Sequence, residues 1–459
     1  MSRRRTAALA ALCLLAGCAP PLSPLPPASR VEEPVAWRTR IAAQGEIEPA
    51  WWNAFGDPAL SGIVEAARAN NPEIAIALAR VREARAQERV SRSLLVPTLD
   101  ASLGASESRS VTAFGTASES FAAQPLFQAA YEVDLFGRNR AQVEAAAANA
   151  AASEAASEVA LLSVTAAAAS GYVTLLALDQ RLETLRATLT SRAESLRIAR
   201  DRAQVGYTSQ LELRQAEAEY RATEQQIPAV QAALTRQENA LSQLIGETPR
   251  AIARGGSFES LRIPMVPAVL PSEMTRRRPD IAQAEFALAA TDARMRAAQA
   301  EFLPRLRLTA SAGGAYSSQL DDPIGIWSLG GSILAPLFSG GRLDGQFEAA
   351  TAQRDQAAFV YRRTVLAAFR EVEDQLALIA RLADQERALL AQREAVADAL
   401  RHATNRYRAG YSPYLEQIDA QRALLSVDLA ILQVRSDRLN AHVALYQALG
   451  GAPEDLTSR

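Results

Sequence analysis

The chain has 459 residues, 49% hydrophobic and 22% charged, which suffices for one or several folded domains. Its formal net charge of −2 gives no electrostatic reason to expect nucleic acid as a partner. With two histidines and no clustered ligand set, phosphate-binding loop or nucleophile motif, the sequence predicts neither an enzyme nor a metal-binding protein.

The first residues, MSRRRTAALAALCLLAGCAP, predict export from the cytoplasm. A basic start precedes an apolar run that is too short for a stable membrane span, so residues 1–17 are typical of a signal peptide. The small residues ending at Cys18 resemble a bacterial lipobox, which would make Cys18 the lipid-modified N-terminus; an ordinary signal with a chance cysteine is the alternative. Apart from this covalent lipid we expect no cofactor. Residues 18–57 contain seven prolines and predict an extended tether.

Residues 58–249 form a first repeat. Asp57-Pro58 and Asn71-Pro72 are typical helix starts. A β-hairpin is predicted at about 98–136, because alternating apolar residues flank a loop rich in serine and glycine. Residues 138–204 then predict a helix of about 100 Å, at about 1.5 Å per residue, which favours coiled-coil packing. A tip at 205–209 leads into a returning helix that we expect to end at Leu244.

A second repeat follows at an offset of 204 to 207 residues. The stretch RYRAGYSPYLE at 406–416 matches RAQVGYTSQLE at 202–212, and the helix before the second hairpin matches that before the first. Residues 250–272 predict an irregular connection. The second repeat covers 273–451, with a hairpin at about 305–338, a long helix, a tip at 409–413 and a returning helix. Residues 452–459 remain as a short tail.

The predicted strands have one apolar and one polar face. Leu306, Leu308 and Ala310 alternate with Arg307 and Thr309, which suits a membrane barrel with a wet lumen or a soluble sheet with one solvated face. Four strands cannot close a barrel, so strands in the membrane would require two or more chains to share one. The charge-free residues 159–178 have the length of a membrane span. Their many small residues, and the charges in the counterpart region of the second half, argue against one.

The chain resembles the outer-membrane efflux factors, the TolC-like family, in their NodT-type lipoprotein branch. The resemblance covers nearly the whole mature chain and depends on several motifs in order: WWNAFGDPAL, NNPEIAIALARVREA, YEVDLFGR, RRPDI, PLFSGGR and YRAGYSPYLEQIDAQR. It implies an α+β membrane protein whose long helical hairpins form an α-barrel and whose four strands per chain contribute to a shared trimeric β-barrel.

The same resemblance implies a function. The protein would be a passive homotrimeric duct in the outer membrane that extends into the periplasm. It would dock on a periplasmic adaptor and on an inner-membrane pump of the RND type, carrying small molecules to the exterior. The family narrows its channel near the tips, and the motifs place Glu416 and Asp419 in that constriction with Tyr407 and Arg422 as linkers. Three copies of each carboxylate around one axis would attract cations, although a solvated helix face is the plainer interpretation. Some relatives carry an arginine where this chain has Ser412.

The tips are predicted to contact the adaptor. The residues concerned are Gly206, Tyr207, Ser209, Gly410, Tyr411 and Ser412. Gly206 and Gly410 are explained equally well by the need to reverse the chain between helices. The main alternative for the whole protein is a lipid-anchored coiled-coil scaffold of the envelope without transport activity, against which the two-faced strands argue.

Overall fold

The structure is a computed structural model that describes residues 19–111, 113–318 and 322–451. Cys18 and the tail at 452–459 therefore lie outside the described residues. The helices are α1 Pro58–Asn70, α2 Pro72–Arg92, α3 Arg138–Gln204, α4 Gln210–Glu224, α5 Gln226–Leu244, α6 Pro271–Arg277, α7 Pro279–Ala300, α8 Arg342–Arg408 and α9 Tyr414–Ala448. The strands are β1 Thr98–Val111, β2 Ala117–Val133, β3 Arg305–Ser317 and β4 Ile324–Leu334.

Local sequence signals account for where the first helices begin. Asp57 caps α1 by accepting hydrogen bonds from the backbone N–H groups of Ala59 and Leu60, at 2.8 and 3.4 Å. Asn71 accepts from the N–H of Glu73 at 2.8 Å and so caps α2. The two long helices span 67 residues each. The predicted single returning helix of the first half is wrong in one respect, because it is divided at Gln225 into α4 and α5.

The four strands form one antiparallel sheet in the order β1-β2-β3-β4. The register places apolar residues beside apolar ones and polar residues beside polar ones, and directly paired residues share a face of the sheet. One row across all four strands reads Leu99, Ala129, Ala310 and Leu329, and the adjacent row reads Asp100, Gln128, Ser311 and Ser328. Within the polar row, the hydroxyls of Ser311 and Ser328 are 2.8 Å apart. The predicted division into an apolar and a polar face is confirmed.

The chain divides into two compact units. The first combines residues 19–30, 79–155 and 282–363 and contains the sheet. Where β2 meets α3, Arg138 forms ion pairs with Glu132 at 2.7 Å and Glu301 at 3.1 Å. The nearby Asp134 accepts from the N–H groups of Asn139 and Arg140, at 3.2 and 2.9 Å, and so caps the start of α3. These contacts fix the angle at which the first long helix leaves the sheet.

The second unit combines residues 31–78, 156–281 and 364–451 and contains both helix tips. Its core is built around a 3₁₀ turn at Trp51–Phe55, where Trp51 stacks on Tyr446 with ring centroids 5.0 Å apart. Tyr172 of α3 donates its hydroxyl hydrogen to Asp57 at 3.1 Å and accepts from the N–H of Gly255 at 2.9 Å. The predicted irregular connection is therefore held against the long helix by specific polar contacts.

One stretch of α3 is long and apolar enough to cross a membrane by length and composition, and no other helix of the described residues contains such a stretch. Half of that stretch is buried within the chain. Because Gly171 in this stretch has no side chain, α5 can approach closely: an added Cβ would lie 2.9 Å from Leu241. The short distance indicates helix packing, which fits the many small residues of this segment.

Candidate functional site

Both tips reverse the chain by the same backbone device. At the first, Gly206 adopts a φ of 74°, its N–H bonds to the carbonyl of Ala203 at 3.2 Å, and the N–H of Tyr207 bonds to that of Arg202 at 2.8 Å. At the second, Gly410 adopts a φ of 79°, and the N–H groups of Gly410 and Tyr411 bond in the same pattern at 3.1 and 2.9 Å. This is the Schellman motif, whose left-handed position favours glycine.

The tips expose apolar side chains. Tyr207 is 86% exposed and Tyr411 is 81% exposed. Three aliphatic residues within four positions of a tip tyrosine in sequence are exposed as well, namely Val205, Leu211 and Leu415. Large apolar side chains grouped on a surface are typical of a protein contact. Ser209 caps α4 by accepting from the N–H of Glu212 at 3.3 Å, whereas the Ser412 hydroxyl is buried without a hydrogen-bond partner among the described residues.

A small buried cluster lies next to the tips and includes Tyr407. The cluster consists of Leu196, Ala199, Ala216, Tyr407, Tyr414 and Ile418. The rings of Tyr407 and Tyr414 are 5.1 Å apart, and the guanidinium of Arg202 lies 4.8 Å above the Tyr407 ring. Burial raises the pKa of Tyr414 to about 12 and also raises that of Tyr407. Within this chain Tyr407 is a packing residue, and its hydroxyl has no hydrogen-bond partner among the described residues.

The two predicted acidic residues remain accessible on the first turns of α9. Asp419 is 63% exposed and lies 3.5 Å from Arg422, three residues further along the helix. Glu416 is 43% exposed and lies 3.7 Å from Arg406. These pairs contribute little stability because both members face solvent. Both carboxylates are therefore accessible to solvent in the single chain.

Arg422 has a closer partner than the sequence predicted. Its Nε donates to a carboxylate oxygen of Glu219 on α4 at 2.9 Å, and its Nη2 donates to the same atom. The hydrogen bonds to Glu219 raise the pKa of Arg422. Arg422 thus joins the returning helices of the two halves, while its Nη1 stays close to Asp419.

Glu219 also holds a second arginine, which is buried. Its other carboxylate oxygen lies 3.0 Å from Arg192 of α3, and the two side chains are only 8% and 4% exposed. Arg192 donates further to the carbonyl of Glu219 at 2.8 Å and to the hydroxyl of Thr223 at 2.6 Å. Burial lowers the pKa of Arg192, and the charge of Glu219 opposes that shift. One buried carboxylate therefore connects three helices at this level.

Sequence reasoning missed Arg192 and Glu219. Both lie in segments crowded with charge, where a solvated face is the usual interpretation. A signal was nevertheless present: Arg192 precedes the buried Leu196 and Ala199 by four and seven residues, and Glu219 follows the buried Ala216 by three. Charged residues on the apolar side of a helix are expected to be paired when buried.

No group of three or more histidine, cysteine, aspartate or glutamate side chains in the described parts of the chain could hold a metal ion. The site is therefore defined by exposed carboxylates, buried ion pairs and apolar tips. The long helices and the two-faced sheet are compatible with a channel-type membrane protein.

Comparison with known proteins assigns the family. The model of the outer membrane efflux protein family matches residues 63–247 and 270–451, and the chain belongs to that family. The pyoverdine export outer membrane protein OpmQ of Pseudomonas aeruginosa is 32% identical over 467 residues, covering 98% of this chain and 97% of that protein. The toluene efflux pump outer membrane protein TtgI of Pseudomonas putida is 35% identical over 412 residues, covering 86% of each chain.

Solved structures give the same result. The outer-membrane channel OprN superposes with a TM-score of 0.83 at 27% identity, covering 94% of this chain and 98% of that chain. The MtrE outer-membrane channel of Neisseria gonorrhoeae, in its open state, gives 0.83 at 28% identity with the same coverage. This chain is thus the outer-membrane channel component of an efflux system, located in the outer membrane and extending into the periplasm. Its family consists of efflux proteins and not of enzymes.

Proposed function

We propose that three copies of the chain form one channel. The observation that carries this proposal is the sheet, which has only four strands and leaves β1 and β4 as edges. Unpaired backbone groups at a sheet edge cost several kcal/mol each in lipid, so the edges must be paired with those of other copies. Three four-stranded sheets make a twelve-stranded barrel, a size that leaves a lumen. The polar row of Asp100, Gln128, Ser311 and Ser328 faces that lumen.

The exposed tips dock on a periplasmic adaptor, and the adaptor connects the channel to an inner-membrane pump of the RND type. Their apolar side chains, led by Tyr207 and Tyr411, support this assignment because they have no role in closing the turns. The channel is passive and the pump supplies the energy. Its substrates are small molecules, in line with relatives named for the export of pyoverdine and the efflux of toluene.

The constriction is formed by Asp419 and Glu416, three copies of each around the channel axis. A ring of carboxylates favours cations over anions. Arg422 holds Asp419 in place because it is itself held by Glu219, and Tyr407 packs beneath the tip. Lipid on Cys18 anchors the N-terminus in the inner leaflet of the outer membrane. The support for that anchor is the sequence before Cys18, which ends in small residues.

Accumulation assays test the proposal. A strain lacking this protein should accumulate more of at least one compound in a panel of dyes, antibiotics, solvents and metal ions. Restoring the wild-type gene should reverse the effect, and restoring Cys18→Ala should reverse it only in part. Purified protein should also migrate more slowly in a detergent gel before boiling than after it. Unchanged accumulation together with monomer migration in both samples would instead favour the non-conducting scaffold.

A further inference from the structure

The N-terminal tether is fixed to the first unit by hydrogen bonds from side chains to its carbonyl groups. On α8, Arg362 donates to the carbonyl of Ala28, and Arg354 donates to those of Pro24, at 3.2 Å, and Ser23. Arg354 is only 2% exposed and also pairs with Asp355 at 2.7 Å, so the tether carbonyls complete the hydrogen bonding of a buried cation. The tether therefore has a defined register along α8.

This register gives the position at which the described tether ends. Arg354 and Arg362 are eight residues apart on α8, which corresponds to about 12 Å along the helix axis. The tether carbonyls that they bind are four to five residues apart, so the tether runs nearly extended over this distance. Continued at about 3 Å per residue, the four described residues before Ser23, residues 19–22, span about 12 Å, which is about eight residues of α8. The described tether thus ends level with about residue 346, close to the start of α8 at Arg342.

A second contact gives the same position independently. Gln299 of α7 donates to the carbonyl of Pro20 at 2.7 Å. Gln299 and Phe302 belong to the same helical turn at the end of α7, since the N–H of Phe302 bonds to the carbonyl of Gln299 at 3.2 Å. Residues three apart on a helical turn are neighbours. Phe302 thus lies one turn beyond the residue that binds Pro20.

At this position there is a mostly apolar cleft of about 250 Å³, whose lining also includes Ser339 and Asp344. Its walls include Phe302, Pro304, Pro336, Leu337, Phe338 and Leu343. Phe302 is held edge-on against Phe347, with ring centroids 6.3 Å apart. Leu337 and Phe338 at its mouth are 86% and 92% exposed, so the cleft opens next to an apolar surface.

We propose that this cleft binds an acyl chain of the lipid carried by Cys18. The inference depends on the lipidation proposed above and adds a binding site for it. The tether delivers the lipid to the cleft, and the apolar lining removes part of the chain from water. The remainder of the lipid enters the bilayer beside Leu337 and Phe338. The lipid in this way attaches the N-terminus to the protein, next to the end of β4, as well as to the membrane.

Photo-crosslinking in the full-length protein tests the proposal. Benzoylphenylalanine is introduced at Leu337, in the cleft, or at Leu329, an exposed residue of β4 that serves as the matched control. After irradiation in cells and trypsin digestion, mass spectrometry should show the peptide containing residue 337 joined to a fatty acyl group of the N-terminal lipopeptide. The probe at 329 should yield adducts of phospholipid instead. Ala335→Trp, which narrows the cleft, should reduce the cross-link at 337 several-fold while slow gel migration is retained.

The outcomes separate the two proposals. An acylated N-terminal peptide, together with only phospholipid adducts or none at position 337, would overturn the cleft proposal and leave lipidation intact. An N-terminal peptide that carries no acyl group would overturn lipidation itself. Equal yields of the lipopeptide cross-link from positions 337 and 329 would show that the anchor has no fixed site.

Discussion

The two returning helical segments, α4–α5 and α9, are equivalent in the repeat but hold their charges differently. In the first segment the buried Glu219 pairs with Arg192 and Arg422, and Glu238 pairs with Arg254 at 2.5 Å. In α9 the acids near the tip are exposed, and the position equivalent to Glu238, 204 residues later, is His442. The first segment thus contributes a buried carboxylate near its tip, whereas α9 contributes exposed carboxylates there and forms its ion pairs with α8 further from the tip, as between Arg438 and Glu386 at 2.8 Å.

Glu219→Gln should have the largest effect. Breaking a buried ion pair costs about 3–5 kcal/mol, because the remaining Arg192 stays buried without a counter-charge. We expect faster hydrogen exchange in α4 and around Arg192, and a several-fold higher single-channel conductance because Arg422 loses its anchor. Glu217→Gln is the matched control, since Glu217 lies on the same helix in an exposed pair with Arg214. Equal exchange rates in both variants would refute the role of Glu219.

His442 should make the second half sensitive to acid. Burial, assisted by the charge of Arg438, lowers its pKa from 6.5 to about 4, and neither ring nitrogen has a hydrogen-bond partner among the described residues. Because the folded-state pKa lies below the unfolded value, this contribution to stability is full above pH 6.5 and is lost as the pH falls towards 4. The loss amounts to up to about 3 kcal/mol.

The measurement is thermal unfolding of the trimer between pH 7 and pH 4, followed by the loss of the slow gel band. His442→Leu should remove most of the pH dependence in this range. His402→Gln is the control, because His402 is the other histidine and is exposed on α8. If His402→Gln flattened the profile and His442→Leu did not, the assignment to His442 would be wrong.

The sequence predicted the repeated elements better than the polar contacts between them. The bounds of α3 and α8 follow from proline-free runs with helical period, and the two sheet faces follow from alternation. The break at Gln225 was missed, although Pro228, which lacks an N–H, lies in the first turn of α5. The pairing of Arg422 with Glu219 could not be predicted because it depends on the relative rotation of two helices 203 residues apart in sequence.

Asp419→Asn tests whether the exposed charges of α9 act on ions. Neutralising three carboxylates around one axis should lower the ratio of cation to anion permeability several-fold, without changing trimer stability. Reversal potentials in a potassium chloride gradient across planar bilayers measure this ratio. Glu212→Gln on α4 is the matched control at the position equivalent to Glu416, and it should change the ratio less because Glu212 accepts from the Thr208 hydroxyl. A ratio unaffected by Asp419→Asn would place this side chain outside the constriction.

The smallest effects are expected at the turns themselves, where the two halves are alike. Gly206→Ala and Gly410→Ala should each destabilise their tip by about 1 kcal/mol, because an alanine at a positive φ is strained although an added Cβ meets no neighbour at either position. Hydrogen exchange of the tip amides measures the loss. Gly62→Ala, also in open space but in the ordinary helical conformation of α1, should stabilise its helix. Similar losses at both tips would mean that the halves differ in their side chains alone. A clearly larger loss at Gly410 would mean that the second tip depends more on its backbone conformation than the first tip does. The reason would be that Ser209 caps the returning helix of the first tip and so provides a second way of fixing where that helix starts.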